Sequence, residues 1–167
     1  MQQIDRAPFG DLQAAIAPLD AGQVDTGAPT APRPPCKVLV AEDQYVIALD
    51  LSEALERCGV EVLGPVATLD AAMCLLARHE DIAGALLDIT MQGSTIYPVA
   101  DALRRRRVPF VFATGRQREA IAPAFRDAAY CQKPMSSRKM VEVLLREIVK
   151  GGGTCAADML SGPPASM

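Results

Sequence analysis

Five side chains stand directly after short apolar runs. Glu42 and Asp43 follow Val38-Leu39-Val40-Ala41, Asp88 follows the run from Ile82 to Leu87, Thr114 follows Phe110-Val111-Phe112-Ala113, and Lys133 follows Tyr130-Cys131-Gln132. If these runs are strands of one open parallel α/β sheet, their carboxyl ends form the rim where such sheets bind ligands. Three carboxylates, a hydroxyl and an ammonium then meet there, although they lie up to 91 positions apart. Acids brought so close repel one another, and a hard divalent cation with oxygen ligands, Mg²⁺, is the natural relief. Asp43 and Asp88 would bind it directly, Glu42 directly or through water, and the main-chain carbonyl of Thr90 would add an oxygen. The chemistry that suits this set is phosphoryl transfer to a carboxylate. Asp88 attacks phosphorus to give an acyl phosphate, while Lys133 and the cation neutralise charge on the equatorial oxygens and Thr114 donates a hydrogen bond to one of them.

The elements that must position these residues are legible as an alternation of apolar runs and helical periodicity, repeated five times. The first strand leads into a helix from about Val46, striped by Ile47, Leu51, Ala54, Leu55 and Cys58 and closed by Gly59. Val60 to Val66 is the second strand, Leu69 to His79 the second helix, and Ile82 to Leu87 the third strand. Pro98 suits the first turn of a third helix running through Arg107. The fourth strand ends at Thr114. Only 19 positions separate Thr114 from Lys133, and Pro123 is among them, so the fourth helix is expected to be short or mobile. A brief fifth strand at Tyr130-Cys131-Gln132 and a last helix striped by Val141, Leu144, Leu145 and Ile148 complete a domain over 36–150. The proline-rich leader 1–35, with at most a short amphipathic helix at Asp11 to Ala17, is expected to be disordered, and 151–167 is expected to be a flexible tail.

Composition narrows the partners. The net charge is −3 and aromatic residues make up 4% of the chain, with no Trp, so direct DNA binding and attraction to anionic lipid are not expected. No stretch reaches the length of a membrane span. Five scattered cysteines without metal or redox spacing suit a reduced, cytoplasmic protein. The run Arg104-Arg105-Arg106-Arg107 reads as a solvated helix end within reach of Asp101, not as a nucleic-acid patch. His79, the only histidine, reads as a surface residue.

Glu42-Asp43, Asp88, Thr114 and Lys133-Pro134, set at the ends of five such strands, resemble the receiver domains of bacterial response regulators. Pro109-Phe110-Val111-Phe112-Ala113-Thr114-Gly115 is similar to the Phe-Ala-Thr-Gly motif of the stand-alone FATGUY subgroup, with Arg116-Gln117 in place of its hydrophobic-Tyr end. Tyr97-Pro98-Val99-Ala100-Asp101 is similar to alphaproteobacterial members. The resemblance implies a flavodoxin-like doubly wound sheet of strand order 2-1-3-4-5 with helices on both faces. It implies Asp88 as the phosphoacceptor, and a sensor histidine kinase or histidine phosphotransfer protein as donor. It further implies a downstream protein target with no output domain attached, self-dephosphorylation without turnover of an external substrate, and homodimerisation as an open alternative. Tyr130 stands where receivers often place a switch aromatic that moves when Thr114 engages the phosphoryl group. Gln92 replaces a usual proline and is expected to loosen the loop after Asp88. Arg116, two after Thr114, is a candidate to control water access.

Other readings use the same residues. Glu42 and Asp43 would also suit the first turn of the following helix, and Tyr130 would also serve as partly buried filler. A phosphate sink or relay shares all of the chemistry. A phosphatase of the haloacid dehalogenase type would need a second acid two positions after its nucleophile, where this chain has Thr90. A pseudo-receiver would be expected to have lost an acid or the lysine.

Overall fold

Runs such as Val38-Leu39-Val40 and Ala85-Leu86-Leu87 carry no polar member, so neither face of the strand they form can meet water. A computed structural model, describing residues 35–153, buries both faces. The leader, its expected helix at Asp11 to Ala17 and the tail beyond Gly153 lie outside the described residues. In chain order the elements are β1 (Cys36–Ala41), α1 (Tyr45–Glu56), β2 (Val60–Val66), α2 (Leu69–Arg78), β3 (Ile82–Leu87), β4 (Thr90–Met91), β5 (Ser94–Thr95), α3 (Tyr97–Arg105), β6 (Phe110–Thr114), β7 (Ala129–Gln132) and α4 (Ser137–Lys150).

Five of these strands pair in parallel in the order β2-β1-β3-β6-β7. Counting those five alone, this is the expected 2-1-3-4-5 order of a flavodoxin-like sheet. Alternate residues of each strand feed two separate cores. Leu39, Ala85, Leu87 and Phe112 meet Ala72 and Leu76 of α2 and Val99 and Leu103 of α3. Val38, Val40, Leu86 and Val111 meet Leu51 and Leu55 of α1 and Leu144 and Ile148 of α4. The period of two along each strand thus decides which helices cover which face.

The expected shortness of the fourth helix is met, the expected looseness of the loop after Asp88 is not, and one irregularity in the sheet was not foreseen. The segment between β6 and β7 holds only two single 3₁₀ turns, Arg118–Ala120 and Pro123–Phe125, since Pro123 breaks any longer helix. The loop after Asp88, expected to be loose, is a small antiparallel ribbon of β4 and β5. Its central residues Gln92 and Gly93 both take positive φ, 46° and 81°, the conformation of a tight two-residue hairpin. Third, the register between β1 and β2 slips, so that Leu39 faces Leu63 but Ala41 faces Val66.

That slip centres on Gly64, at φ +107°, where an added Cβ would lie 2.8 Å from the Val40 carbonyl oxygen and 2.9 Å from the Val66 nitrogen. Only glycine fits such a position. The irregularity delivers the Val66 carbonyl to the Glu42 N–H at 2.9 Å, fixing the backbone of the first rim acid. Gly64→Ala is therefore expected to destabilise the domain by about 2–4 kcal/mol, from backbone strain plus overpacking against main-chain atoms. The midpoint of urea unfolding, at unchanged denaturant slope, measures it.

Candidate functional site

Backbone hydrogen bonds between neighbouring strand ends bring the reactive residues into line. The Asp88 N–H donates to the Ala41 carbonyl at 2.8 Å, and the Lys133 N–H donates to the Thr114 carbonyl at 2.8 Å. Five residues from four strand ends thereby share one rim, as the sequence reading requires. Glu42, Asp88 and Thr114 are buried and Asp43 is half-buried.

Lys133 Nζ donates to Glu42 Oε2 at 2.5 Å and to Asp88 Oδ2 at 2.8 Å. Carboxylate oxygens of Glu42, Asp43 and Asp88 all lie within 4.8 Å of one another. Three acids at this spacing around one lysine leave an excess of negative charge, so a small oxygen-binding dication fits the donor set. The ribbon closes over the acids from above. The Gln92 N–H donates to Asp43 Oδ2 at 3.0 Å, and the Thr90 N–H donates to Asp88 Oδ1 at 3.2 Å. Asp88 lies in an open cleft lined by Gln44, Ile47, Gly115, Lys133 and Met135.

Burial pushes the Glu42 carboxyl above the ordinary carboxylate range, and the negative charge of Asp88 adds to this; the hydrogen bond and charge of Lys133 offset only part. For Lys133, burial works against the ammonium, but the hydrogen bonds to Asp88 and Glu42 outweigh it and its pKa rises above the ordinary 10.5. The lysine therefore stays charged at neutral pH, and its share of the stability is present below 10.5 and lost as pH rises through its folded pKa.

Thr114 accepts from the Arg116 N–H at 3.2 Å, while the Arg116 side chain is exposed. Tyr130 sits further down β7, its ring half-buried beneath the Arg118 guanidinium at 4.5 Å. Sequence reasoning missed Arg118 and the two ribbon N–H groups, because neither a cation–π contact nor a main-chain donor leaves a residue-type signal. The arginine run is engaged within the chain. Arg104 bonds the Ala124 carbonyl at 2.7 Å and Asp127 at 2.9 Å, Arg105 pairs with Asp101, and Arg106 donates to the Leu76 carbonyl at 2.6 Å and the His79 carbonyl at 3.2 Å.

No family model matches the chain. Among curated proteins it is similar to the transcriptional regulatory protein PdtaR of Mycobacterium tuberculosis, 29% identical over 115 residues, which make up 66% of this chain and 55% of PdtaR. The chain thus spans about half the length of the curated relatives it matches. Among solved structures, SdrG from Sphingomonas melonis Fr1 superposes with TM-score 0.60 at 33% identity, over 69% of this chain and 97% of SdrG. A response regulator receiver protein from Sinorhizobium medicae WSM419 superposes with TM-score 0.61 at 22% identity, over 70% of this chain and 97% of that one, and so speaks for the fold alone.

Removing the lysine would leave Glu42 and Asp88 buried beside each other. Lys133→Met is expected to destabilise the domain by about 3 kcal/mol at pH 7, the scale of a broken buried pair. A carboxyl whose folded pKa is raised takes up a proton on folding, so this variant should regain stability as pH falls from 7 towards the ordinary carboxylate range. Urea titrations across that range check both the loss and its sign.

Proposed function

We propose, because this chain belongs to the receiver-domain family of response regulators, that Asp88 accepts a phosphoryl group and that the acyl phosphate switches the binding of a partner protein. The observation that carries this reading is the Lys133 ammonium held at 2.5 and 2.8 Å from Glu42 and Asp88, within a cluster of three converging carboxylates.

The donor is a phosphohistidine on a sensor histidine kinase or histidine phosphotransfer protein. An Asp88 carboxylate oxygen attacks phosphorus, the P–N bond breaks, and its electron pair returns to the imidazole, which takes a proton to become neutral histidine. Asp43, Asp88 and Glu42, with the Thr90 carbonyl as a further ligand, would hold Mg²⁺, which would supply neutralisation of the phosphoryl charge. The Lys133 ammonium, 2.8 Å from Asp88 Oδ2, adds a second positive charge, and the Thr114 hydroxyl donates to a phosphoryl oxygen. Water later attacks the acyl phosphate, returning Asp88 as a carboxylate and releasing phosphate. The chain accepts and loses its own phosphoryl group and turns over no external substrate.

The donor approaches over the start of α1. Tyr45, Val46 and Leu49 are exposed there, Tyr45 and Val46 by 78% and 76%, beside the cleft that opens onto Asp88. Uncovered apolar side chains at a reactive rim suit a protein surface that docks before transfer. The switch itself is Thr114 together with Tyr130. The site of action is the cytoplasm. Among the described residues no helix is long and apolar enough to cross a membrane, and Cys58, Cys74 and Cys131 stand in no disulfide.

Incubation with Mg²⁺ and acetyl phosphate, followed by intact mass measurement, tests the reading. Wild type should gain one phosphoryl group, and Asp88→Asn or Mg²⁺ removal by a chelator should abolish the gain. A folded wild type that gains nothing would sink it.

A further inference from the structure

Tyr130 and Thr114 share one face of the sheet. Phe112 stands opposite Tyr130 and Thr114 opposite Gln132 in the β6–β7 pairing, and side chains two apart on a strand point the same way. Phe112 lies in the core under α2 and α3, with Tyr130 packed against it, so Thr114 is the diagonal neighbour of the Tyr130 ring. The strap between β6 and β7 runs past both. Its second half is pinned to α3. The Tyr97 hydroxyl accepts from the Ala122 N–H at 3.0 Å, the Tyr97 ring stacks on Phe125 at 5.1 Å, and Arg104 holds the Ala124 carbonyl and Asp127. Its first half meets Tyr130 through Arg118, whose guanidinium lies 4.5 Å from the ring centroid while Nη1 donates to the Arg126 carbonyl. Between Thr114 and Arg118 lies Gly115, exposed and with nothing within 4 Å of an added Cβ.

We infer that Arg118 is a positioning residue for the switch: its guanidinium latches Tyr130 in the resting state, and release of that contact carries the state of Thr114 into the strap. This rests on the phosphoacceptor reading of Asp88. A cation over an aromatic face at a partly exposed site biases a population about two- to fivefold. A bias of that size holds the ring at rest and yields to a new hydrogen bond between Thr114 and a phosphoryl oxygen, the balance a two-state element needs.

With three tyrosines and no tryptophan in the chain, the Tyr130 ring can be followed by NMR in tyrosine-labelled protein, before and after treatment with Mg²⁺ and acetyl phosphate. In Arg118→Ala the resting ring resonances should move towards their phosphorylated positions, and Asp88 should be labelled about two- to fivefold faster. Arg118→Lys, which keeps the charge, should recover part of both effects. In a Tyr130→Leu background, Arg118→Ala should leave the labelling rate unchanged. Unmoved resting resonances in folded Arg118→Ala would overturn the latch, as would an equal rate change in the Tyr130→Leu background. Absence of any mass gain in wild type would instead defeat the phosphoacceptor reading, and the resting resonances would still judge the Arg118–Tyr130 contact.

Discussion

Three carboxylates held on one rim would drive each other apart if Lys133 did not stand between two of them. Its ammonium bonds Glu42 and Asp88 at once, and both acids are buried. The arrangement is demanding in energy, because burying charges costs more than most ion pairs return. It persists because every position around it is set by backbone. The Asp88 and Lys133 main chains are bonded to neighbouring strand ends, and Glu42 is bonded to the carbonyl that the Gly64 irregularity supplies. The fold as a whole can be understood as the frame that keeps this mismatched set of charges together.

Two kinds of surface surround that frame. Below the rim, both faces of the sheet are sealed by helices whose apolar stripes leave little freedom to move. Above and beside it, the elements are small: the two-residue strands of the Gln92–Gly93 hairpin and the two 3₁₀ turns of the strap. Rigid placement of the acids and lysine thus coexists with a periphery held by a few identifiable bonds.

Strand positions were legible because buried parallel strands are written as apolar runs; β3 begins and ends where its run does, and β6 runs from Phe110 to Thr114 as expected. The convergence of Glu42, Asp43, Asp88, Thr114 and Lys133 was legible for the same reason, since each directly follows such a run. The ribbon at Thr90–Thr95 was not, because a single hydrophobic residue, Met91, among three polar ones around a Gln-Gly turn shows no alternation, and the proline missing at Gln92 suggested looseness instead. The strap was half legible. Pro123 forbade a long helix, but nothing in the residue types showed that Tyr97 and Arg104, on a helix twenty or more positions away, would hold what took its place. Tyr130 read equally well as switch or filler because its distinguishing neighbour, Arg118, reaches it only through the fold.

The rim has a consequence for how the chain matures. Its reactive groups come from four strand ends separated by as many as 91 residues, and β7, which Lys133 directly follows, is the last strand among the described residues. Pairings of such long range form late and all together. Until β7 docks against β6, Asp88 has no ammonium beside it and Thr114 no neighbouring strand, so a partly folded chain holds the acids without their counter-charge. Assembly of the rim is thereby tied to completion of the sheet: the three acids meet their lysine only when the strand that precedes it is in place.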